Sequence, residues 1–199
     1  MGIYATRALM LELSRHGKHR QAWRLLNRRD APSWGHIIDR GATTIWERWD
    51  GYVVGRGSQN SMVNSLSHYA FGAVGEWVWR NLIGIHPDEH HPGCRHVIVR
   101  PQPAAGLSWV EGVYDSIRGP IAVAWKVDAG QIDLKVATPS GTTAAVYIPT
   151  TNAAAIQERG RPVGESPGVR YLNFGDDACA YAIVSGTYCF TGHYKIPND

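Results

Sequence analysis

The sequence has few cysteines, no long apolar run and almost no surplus of one charge, and each shortage excludes a class of protein. Its three cysteines, Cys94, Cys179 and Cys189, form no C-x-x-C pair, so zinc-ribbon and dithiol redox motifs are absent. A disulfide between Cys179 and Cys189 is disfavoured, because a hairpin turning near residues 185–186 would set Cys179 opposite Gly192. No run of about 20 apolar residues is present, so we expect no membrane partner.

The charge is nearly balanced, with 20 Lys and Arg against 17 Asp and Glu. The small basic surplus lies in the first 50 residues, which carry nine Lys and Arg against five Asp and Glu. No aromatic or glycine-rich recognition pattern accompanies it, so we interpret it as solvated helix faces and expect no nucleic-acid partner. A hydrophobic fraction of 44% and a charged fraction of 19% indicate a folded chain.

The beginning of the chain shows helical periodicity. Apolar residues at helical spacing predict two helices over residues 5–15 and 18–28, joined by a turn at residues 16–17. A break at residues 31–33 leads into an aromatic loop or short irregular segment over residues 34–52.

A longer helix is predicted over residues 61–83, with Ser61 as its N-cap. This segment is apolar on nearly every side, which indicates a helix buried on several sides. Gly72 and Gly75 lie within it and indicate close packing against a neighbour. Three helices do not suffice to bury such an element, so we expect partners outside this chain.

The second half of the chain alternates apolar and polar residues with a period of two, beginning near Val97. Turn signals, among them residues 119–120 and 185–186, separate short alternating segments. Short strands at this spacing are typical of a β-sandwich of about 100 residues. The change of pattern predicts a boundary near residues 86–95.

The most informative motif is a carboxylate set between tryptophans. Glu47 lies between Trp46 and Trp49, with Arg48 and Asp50 beside it. Such a group suits a site where a sugar ring lies against aromatic faces while a carboxylate acts on water. Two plainer interpretations stay open at this point: Glu47 pairs with a neighbouring arginine in a loop, or Asp50 is the base instead.

Longer stretches around this motif carry a resemblance to a known family. The stretch GATTIWERWDG at residues 41–51, followed by SLSHYAFGAVGEW at residues 65–77, resembles the C-terminal part of bacterial α-L-rhamnosidases. PSWG at residues 32–35 and IVRPQP at residues 98–103 fit the same pattern. These enzymes are inverting glycoside hydrolases with a six-hairpin (α/α)6 barrel followed by a small β-sandwich.

The resemblance implies an α+β multidomain fold. Residues 1–88 would be the C-terminal, incomplete portion of the (α/α)6 catalytic barrel, and residues 95–199 would be an antiparallel β-sandwich domain. The expected partners are the remainder of the barrel and a rhamnosylated glycan or glycoside. No cofactor and no metal site are expected.

The resemblance also implies roles for individual residues. Glu47 takes the place of the general base that deprotonates the attacking water, and His68 that of a residue hydrogen-bonding rhamnose hydroxyls. Trp46 and Trp49 would shape the pocket. The family's general acid lies upstream of the residues present, so we expect the chain alone to be inactive.

The other polar signals have structural interpretations. Glu76 is expected in a buried ion pair, with Arg80 as one partner, and the His- and Asp-rich segment 86–91 in a solvated loop rather than a metal site. Residues 176–177 indicate a turn, with calcium as the lesser alternative. Four tryptophans are interpreted as core residues rather than sugar platforms: Trp77, Trp79, Trp109 and Trp125.

Two other functions are compatible with the sequence. One is a free-standing carbohydrate-binding or structural module built on the sandwich, which would not involve Glu47. The other is a six-hairpin glycosidase acting on a different sugar.

Overall fold

The computed structural model describes residues 5–59, 62, 64–175 and 177–194. It divides into two compact units, Met1–Trp77 and Val78–Asp199, called here the helical unit and the sandwich unit. No helix within the described residues is long and apolar enough to cross a bilayer.

The helical unit begins with the predicted helical hairpin. Helix α1 spans Ala5–Arg15 and α2 spans His19–Asn27, and Gly17 takes a left-handed backbone conformation in the turn between them (φ 71°). Ser14, at the end of α1, is buried and accepts a hydrogen bond from the indole N–H of Trp77 at 2.7 Å. A buried polar pair of this kind fixes the helices that carry its two members.

The segment predicted as an irregular loop contains a third helix. Helix α3 spans Trp34–Asp39, and the Ser33 hydroxyl caps it by accepting from the His36 N–H at 3.0 Å. Serine is among the residues preferred at the N-cap position. Trp34 and Ile37 are buried, so α3 contributes to the core. Strands β1, Tyr52–Val53, and β2, Gly57–Ser58, then form a short hairpin.

The prediction of one helix over residues 61–83 was wrong. Helix α4 covers Tyr69–Gly72, α5 covers Val74–Trp77, and a π-helix covers Val78–Ile83 in the sandwich unit. The proposed N-cap Ser61 lies outside the described residues. The segment is also not buried on all sides within this chain, since Tyr69 is 78% exposed and Met62 is 90% exposed.

The physical reason is a serine turn before α4. The Ser65 hydroxyl accepts from the Ser67 N–H at 3.1 Å and donates to the Ser67 carbonyl at 2.9 Å. Such local bonds compete with helical ones. Residue 68 is extended, and the His68 Nδ1 atom accepts from the Ala70 N–H, so the helix starts one residue later at Tyr69.

The sandwich unit consists of two sheets packed face to face. In the described residues the larger sheet has six strands, in the order Arg161–Pro162, Gln157–Glu158, Gly186–His193, Gln131–Thr138, Gly119–Asp128 and Trp109–Ser116. The smaller has five, in the order Val169–Gly175, Ala178–Ile183, Thr143–Pro149, His96–Val99 and Ile85–Pro87. Neighbours are antiparallel except for His96–Val99 beside Thr143–Pro149.

Alternation of side chains builds the core of the sandwich. In the strand Gln131–Thr138 the even-numbered residues are buried and most odd-numbered ones are exposed. The inward-facing residues of both sheets form one cluster, which includes Ile121, Leu134, Val146, Ile148 and Phe190. The sequence predicted this architecture because each strand carries the period-two pattern itself.

Two expectations about the sandwich were wrong in detail. Cys179 and Cys189 do not flank one hairpin: Cys179 pairs with Ile148 in the smaller sheet, whereas Cys189 pairs with Lys135 in the larger one. Both cysteines are free. Of the four tryptophans interpreted as core residues, Trp77 and Trp125 are buried, but Trp79 is 37% exposed and Trp109, on an edge strand, is 60% exposed.

The two phenylalanines of the sandwich give a matched test of this core. Phe190 is 1% exposed and Phe174 is 48% exposed. We expect Phe190→Ala to lower the free energy of unfolding by about 3–5 kcal/mol, because it leaves a cavity, and Phe174→Ala to lower it by about 1 kcal/mol or less. Urea unfolding followed by circular dichroism measures both. Equal losses would contradict the assignment of the core.

Candidate active site

Two segments of the helical unit lie antiparallel and bring the predicted site residues together. The Glu47 N–H donates to the Ser65 carbonyl at 2.8 Å, and the His68 N–H donates to the Ile45 carbonyl at 2.8 Å. The Thr44 hydroxyl adds a third bond, to the Leu66 carbonyl. Because backbone bonds set this register, Glu47 and His68 have fixed positions along neighbouring segments.

The Glu47 carboxylate is oriented by a backbone donor. Its Oε2 atom accepts a hydrogen bond from the Ser65 N–H at 2.8 Å. Together with the reverse bond from the Glu47 N–H, this makes a reciprocal pair between the two residues. No other hydrogen bond to the carboxylate occurs among the described residues, and Glu47 is only partly buried. The Oε1 atom is therefore open to a water molecule.

His68 presents one ring nitrogen for binding. Its Nδ1 atom accepts from the Ala70 N–H at 3.2 Å and caps helix α4. A neutral imidazole that accepts at Nδ1 carries its proton at Nε2, so Nε2 is a donor. The ring also stacks on Tyr69, with centroids 5.2 Å apart, which limits its rotation.

The two tryptophans of the motif differ in their surroundings. Trp46 is 5% exposed and lies near Tyr52, with ring centroids 6.4 Å apart. Trp49 is partly buried, stacks on Phe71 at 3.7 Å and meets Trp34 edge-on at 5.2 Å. These contacts hold the loop that carries Glu47 against helices α3 and α4.

Arg48 and Asp50 form a bidentate ion pair. Arg48 Nε donates to one carboxylate oxygen of Asp50 and its terminal nitrogen to the other, each at 3.0 Å. The hydrogen bond from Arg48 lowers the pKa of Asp50 below its ordinary value. Asp50 is thus occupied by Arg48, whereas the Glu47 carboxylate is held by a backbone N–H.

Gly51 ends the loop that carries Glu47, at a position that has no room for a side chain. Its N–H donates to the Arg48 carbonyl at 3.1 Å, and its own carbonyl accepts from the Asn64 side chain at 2.7 Å. A Cβ atom at position 51 would lie 2.8 Å from Asn64 Oδ1. Asn64 and Ser65 were not singled out in the sequence, although Asn and Ser side chains commonly bond to the backbone of turns.

The other polar candidates have structural partners. Glu76 forms an ion pair with Arg7, across helices α1 and α5. In the sandwich unit Asp88 contacts His91 at 2.7 Å, and this hydrogen bond lowers the pKa of Asp88. No group of three or more His, Cys, Asp or Glu side chains in the described part of the chain is arranged to hold a metal ion. Asp176 lies outside the described residues.

His86 was predicted in a solvated loop, and the structure contradicts this. It lies in the strand Ile85–Pro87, paired with Ile98. Burial, together with the charges of Arg80 and Arg100, lowers the pKa of His86 to about 4. The period-two pattern was too short at this strand to reveal it.

Two family models cover most of the chain. The model of the bacterial α-L-rhamnosidase six-hairpin glycosidase domain matches residues 1–82, and that of the bacterial α-L-rhamnosidase C-terminal domain matches residues 84–161. The chain belongs to the bacterial α-L-rhamnosidase family. The bounds 1–88 and 95–199 expected for the two domains of this chain stay a prediction.

Individual relatives agree with this family. An α-L-rhamnosidase of Streptomyces avermitilis is 36% identical over 191 residues, which are 96% of this chain and 18% of that protein. One of Formosa agariphila is 30% identical over 98% of this chain and 21% of that protein. The chain thus spans about one fifth of the length of these relatives.

Solved rhamnosidases share the fold. The Streptomyces avermitilis α-L-rhamnosidase complexed with L-rhamnose matches with a TM-score of 0.86 at 34% identity, over 96% of this chain and 18% of that one. The α-L-rhamnosidase from Dictyoglumus thermophilum matches with a TM-score of 0.82 at 26% identity, over 98% and 21%. The α+β description, a six-hairpin glycosidase portion followed by a small sandwich, is confirmed.

The depressed pKa of His86 gives a pH test of the sandwich. The pKa is about 4 in the folded state, against 6.5 as its ordinary value. Below about pH 6.5, His86 binds a proton in the unfolded chain but not in the folded chain. The contribution of His86 to stability is therefore fully present above that pH and is lost as the pH falls toward 4. We expect a loss of up to about 3 kcal/mol from this residue.

Urea unfolding at pH 7, 5.5 and 4 measures the loss. His86→Gln should have a flatter pH dependence over this range, whereas His90→Gln, at an exposed position, should keep that of the unchanged chain. Parallel curves for the unchanged chain and His86→Gln would show that His86 does not carry the effect.

Proposed function

We propose that this chain carries the general-base side of the active site of an inverting α-L-rhamnosidase, which hydrolyses terminal non-reducing α-L-rhamnosyl groups. The observation that carries the proposal is the Glu47 carboxylate, oriented by the Ser65 N–H at 2.8 Å and open at its other oxygen. The relatives named α-L-rhamnosidase support the choice of sugar. A free-standing module is not favoured, because residues 1–82 match a glycosidase domain.

In this mechanism Glu47 activates water. A water bound to Oε1 gives its proton to the carboxylate while its oxygen attacks the anomeric carbon from the face opposite the leaving group. The bond from the Ser65 N–H keeps the carboxylate from rotating. Orientation of this kind is what a general base needs, because the proton must be within hydrogen-bond reach.

The general acid lies outside this chain in our proposal. An inverting enzyme needs two carboxyl groups about 6.5–9.5 Å apart, with room for water between one of them and the sugar. The nearest rival in sequence, Asp50, has both oxygens bound to Arg48. The remainder of the catalytic barrel is therefore the proposed partner, and a rhamnosylated glycan or glycoside is the proposed substrate.

His68 and the tryptophans position the sugar. His68 donates from Nε2 to a rhamnose hydroxyl, since its Nδ1 atom is occupied by the Ala70 N–H. Trp46 and Trp49 shape the pocket: Trp46 lies buried behind the loop, and Trp49 stacks on Phe71. These roles extend the proposal for Glu47 to the binding of the substrate.

The role of Glu47 is tested in a chimera, in which this chain replaces the matching 191 residues of the Streptomyces avermitilis enzyme. We expect Glu47→Gln to lower kcat for 4-nitrophenyl α-L-rhamnoside by about 10²–10⁴-fold, because glutamine accepts the Ser65 bond without acting as a base. Asp50→Asn should stay within about tenfold of the unchanged chimera, since a surface ion pair contributes little. A larger loss in Asp50→Asn than in Glu47→Gln would reverse the assignment.

Azide distinguishes a missing base from a damaged fold. Azide is an anionic nucleophile and needs no base, so it should restore turnover in the Glu47→Ala chimera and yield the β-L-rhamnosyl azide. No such product should form with a His68→Ala chimera. Without the remainder of the barrel, the isolated chain should release no rhamnose.

Two substitutions separate the helix-capping function of His68 Nδ1 from the proposed hydrogen-bond donor at Nε2. Asparagine caps helices well, so His68→Asn should keep the free energy of unfolding within about 0.5 kcal/mol, whereas His68→Ala should lower it by about 1 kcal/mol. Both remove the Nε2 donor, so both should raise KM in the chimera about tenfold or more. If KM rises only in His68→Ala, the less stable variant, and not in His68→Asn, His68 has a structural role only.

A further inference from the structure

The outer face of the larger sheet carries an unusual set of side chains. The strand register places Trp109, Lys126 and Asp133 in one row across three neighbouring strands. Glu111, Ala124 and Lys135 form the next row. These six residues, called here the Trp109 face, line a shallow depression of about 410 Å³.

Trp109 supplies an open aromatic surface. Its side chain is 60% exposed, and no ring contact or hydrogen bond engages it among the described residues. An indole carries a large apolar area that folding would normally remove from water. Its two neighbours across the depression are charged, so no local apolar cluster accounts for its position.

Glu111 and Lys135 are both available for a ligand. They flank Ala124 in one row, and two strand spacings of about 4.8 Å separate their backbones by about 10 Å. Neither side chain has a hydrogen bond or ion pair within the described part of the sandwich unit. The small side chain of Ala124 leaves a gap between a carboxylate acceptor and an ammonium donor.

The charges of the face decide which ligand fits. Its two acids and two bases cancel, and Lys126 is engaged by Asp128 at 3.4 Å while Asp133 accepts from Gln131 at 2.8 Å. A polyanion would meet no basic surplus here. A neutral ligand with one apolar face and several hydroxyl groups matches an aromatic surface bordered by one acceptor and one donor.

We propose that the Trp109 face binds a neutral oligosaccharide. One sugar ring lies with its C–H face on the Trp109 indole, and hydroxyl groups of the adjoining ring bond to Glu111 and Lys135 across Ala124. This site shares no residue with the proposed catalytic group, so the sandwich unit would hold saccharide independently of hydrolysis.

The experiment uses the whole 199-residue chain labelled with ¹⁵N at tryptophan. Titration with rutinose, a rhamnosyl-glucose disaccharide, and with cellohexaose should shift the indole N–H signal that Trp109→Ala removes. Trp109→Ala should weaken binding of the better ligand at least tenfold, as measured by calorimetry. Glu111→Gln and Lys135→Met should each weaken it severalfold.

Tyr171→Ala is the matched control, because Tyr171 is an aromatic residue 55% exposed on the other sheet. Tyr171→Ala should bind saccharide with the affinity of the unchanged chain. All variants should unfold at the same urea concentration as the unchanged chain. No residue of the proposed catalytic group is changed in these variants, and the Trp109 indole signal reports on this face alone, so failure of the catalytic proposal and failure of this one are distinguishable. Equal affinity in Trp109→Ala, binding of heparin alone, or no binding of either saccharide would overturn the proposal.

Discussion

The reciprocal pairing of Glu47 with Ser65 is the interaction on which the proposed chemistry depends. One bond joins the two backbones, and the other joins the Ser65 N–H to the carboxylate. Because His68 is bonded to Ile45 in the same register, a single antiparallel contact fixes the proposed base and the proposed sugar-binding residue together. Side chains positioned by backbone bonds keep their geometry better than those on free loops.

The two neighbouring carboxylates of the motif, Glu47 and Asp50, have different surroundings. Asp50 is neutralised by Arg48, which lowers its pKa and occupies both of its oxygens. Glu47, three residues earlier, uses one oxygen for orientation and keeps the other open. Sequence proximity alone left either one as the base, and the hydrogen bonds give the reason for choosing Glu47 in our proposal.

Local patterns predicted the parts of the fold that local physics decides. The α1–α2 hairpin and the strands of the sandwich follow from periodicity that each element carries in its own residues. The break before α4 was not predicted, because the apolar residues from position 62 onward have helical spacing. The hydrogen bonds of the Ser65–Ser67 turn prevent a helix from forming there. Strand order across two sheets separated Cys179 from Cys189, and no local signal carries that information.

The sequence pointed to only part of the candidate site. The GATTIWERWDG stretch brought Glu47 and the tryptophans forward, and the family resemblance added His68. The partners that orient them, Ser65 and Asn64, were not predicted, because their importance arises from contacts 13 to 18 residues away along the chain. The exposure of Trp109 likewise depends on its place on an edge strand.

One measurement tests the central claim most directly: a crystal structure of the chimera bound to L-rhamnose. Our account predicts a water within about 2.6–3.2 Å of Glu47 Oε1. That water, or the β-anomeric hydroxyl that replaces it in the product, should lie on the face of the anomeric carbon opposite the position of an α-linked leaving group, with Oε2 still on the Ser65 N–H. A sugar bound with Asp50 next to that water, or with Glu47 turned away from the anomeric carbon, would contradict it.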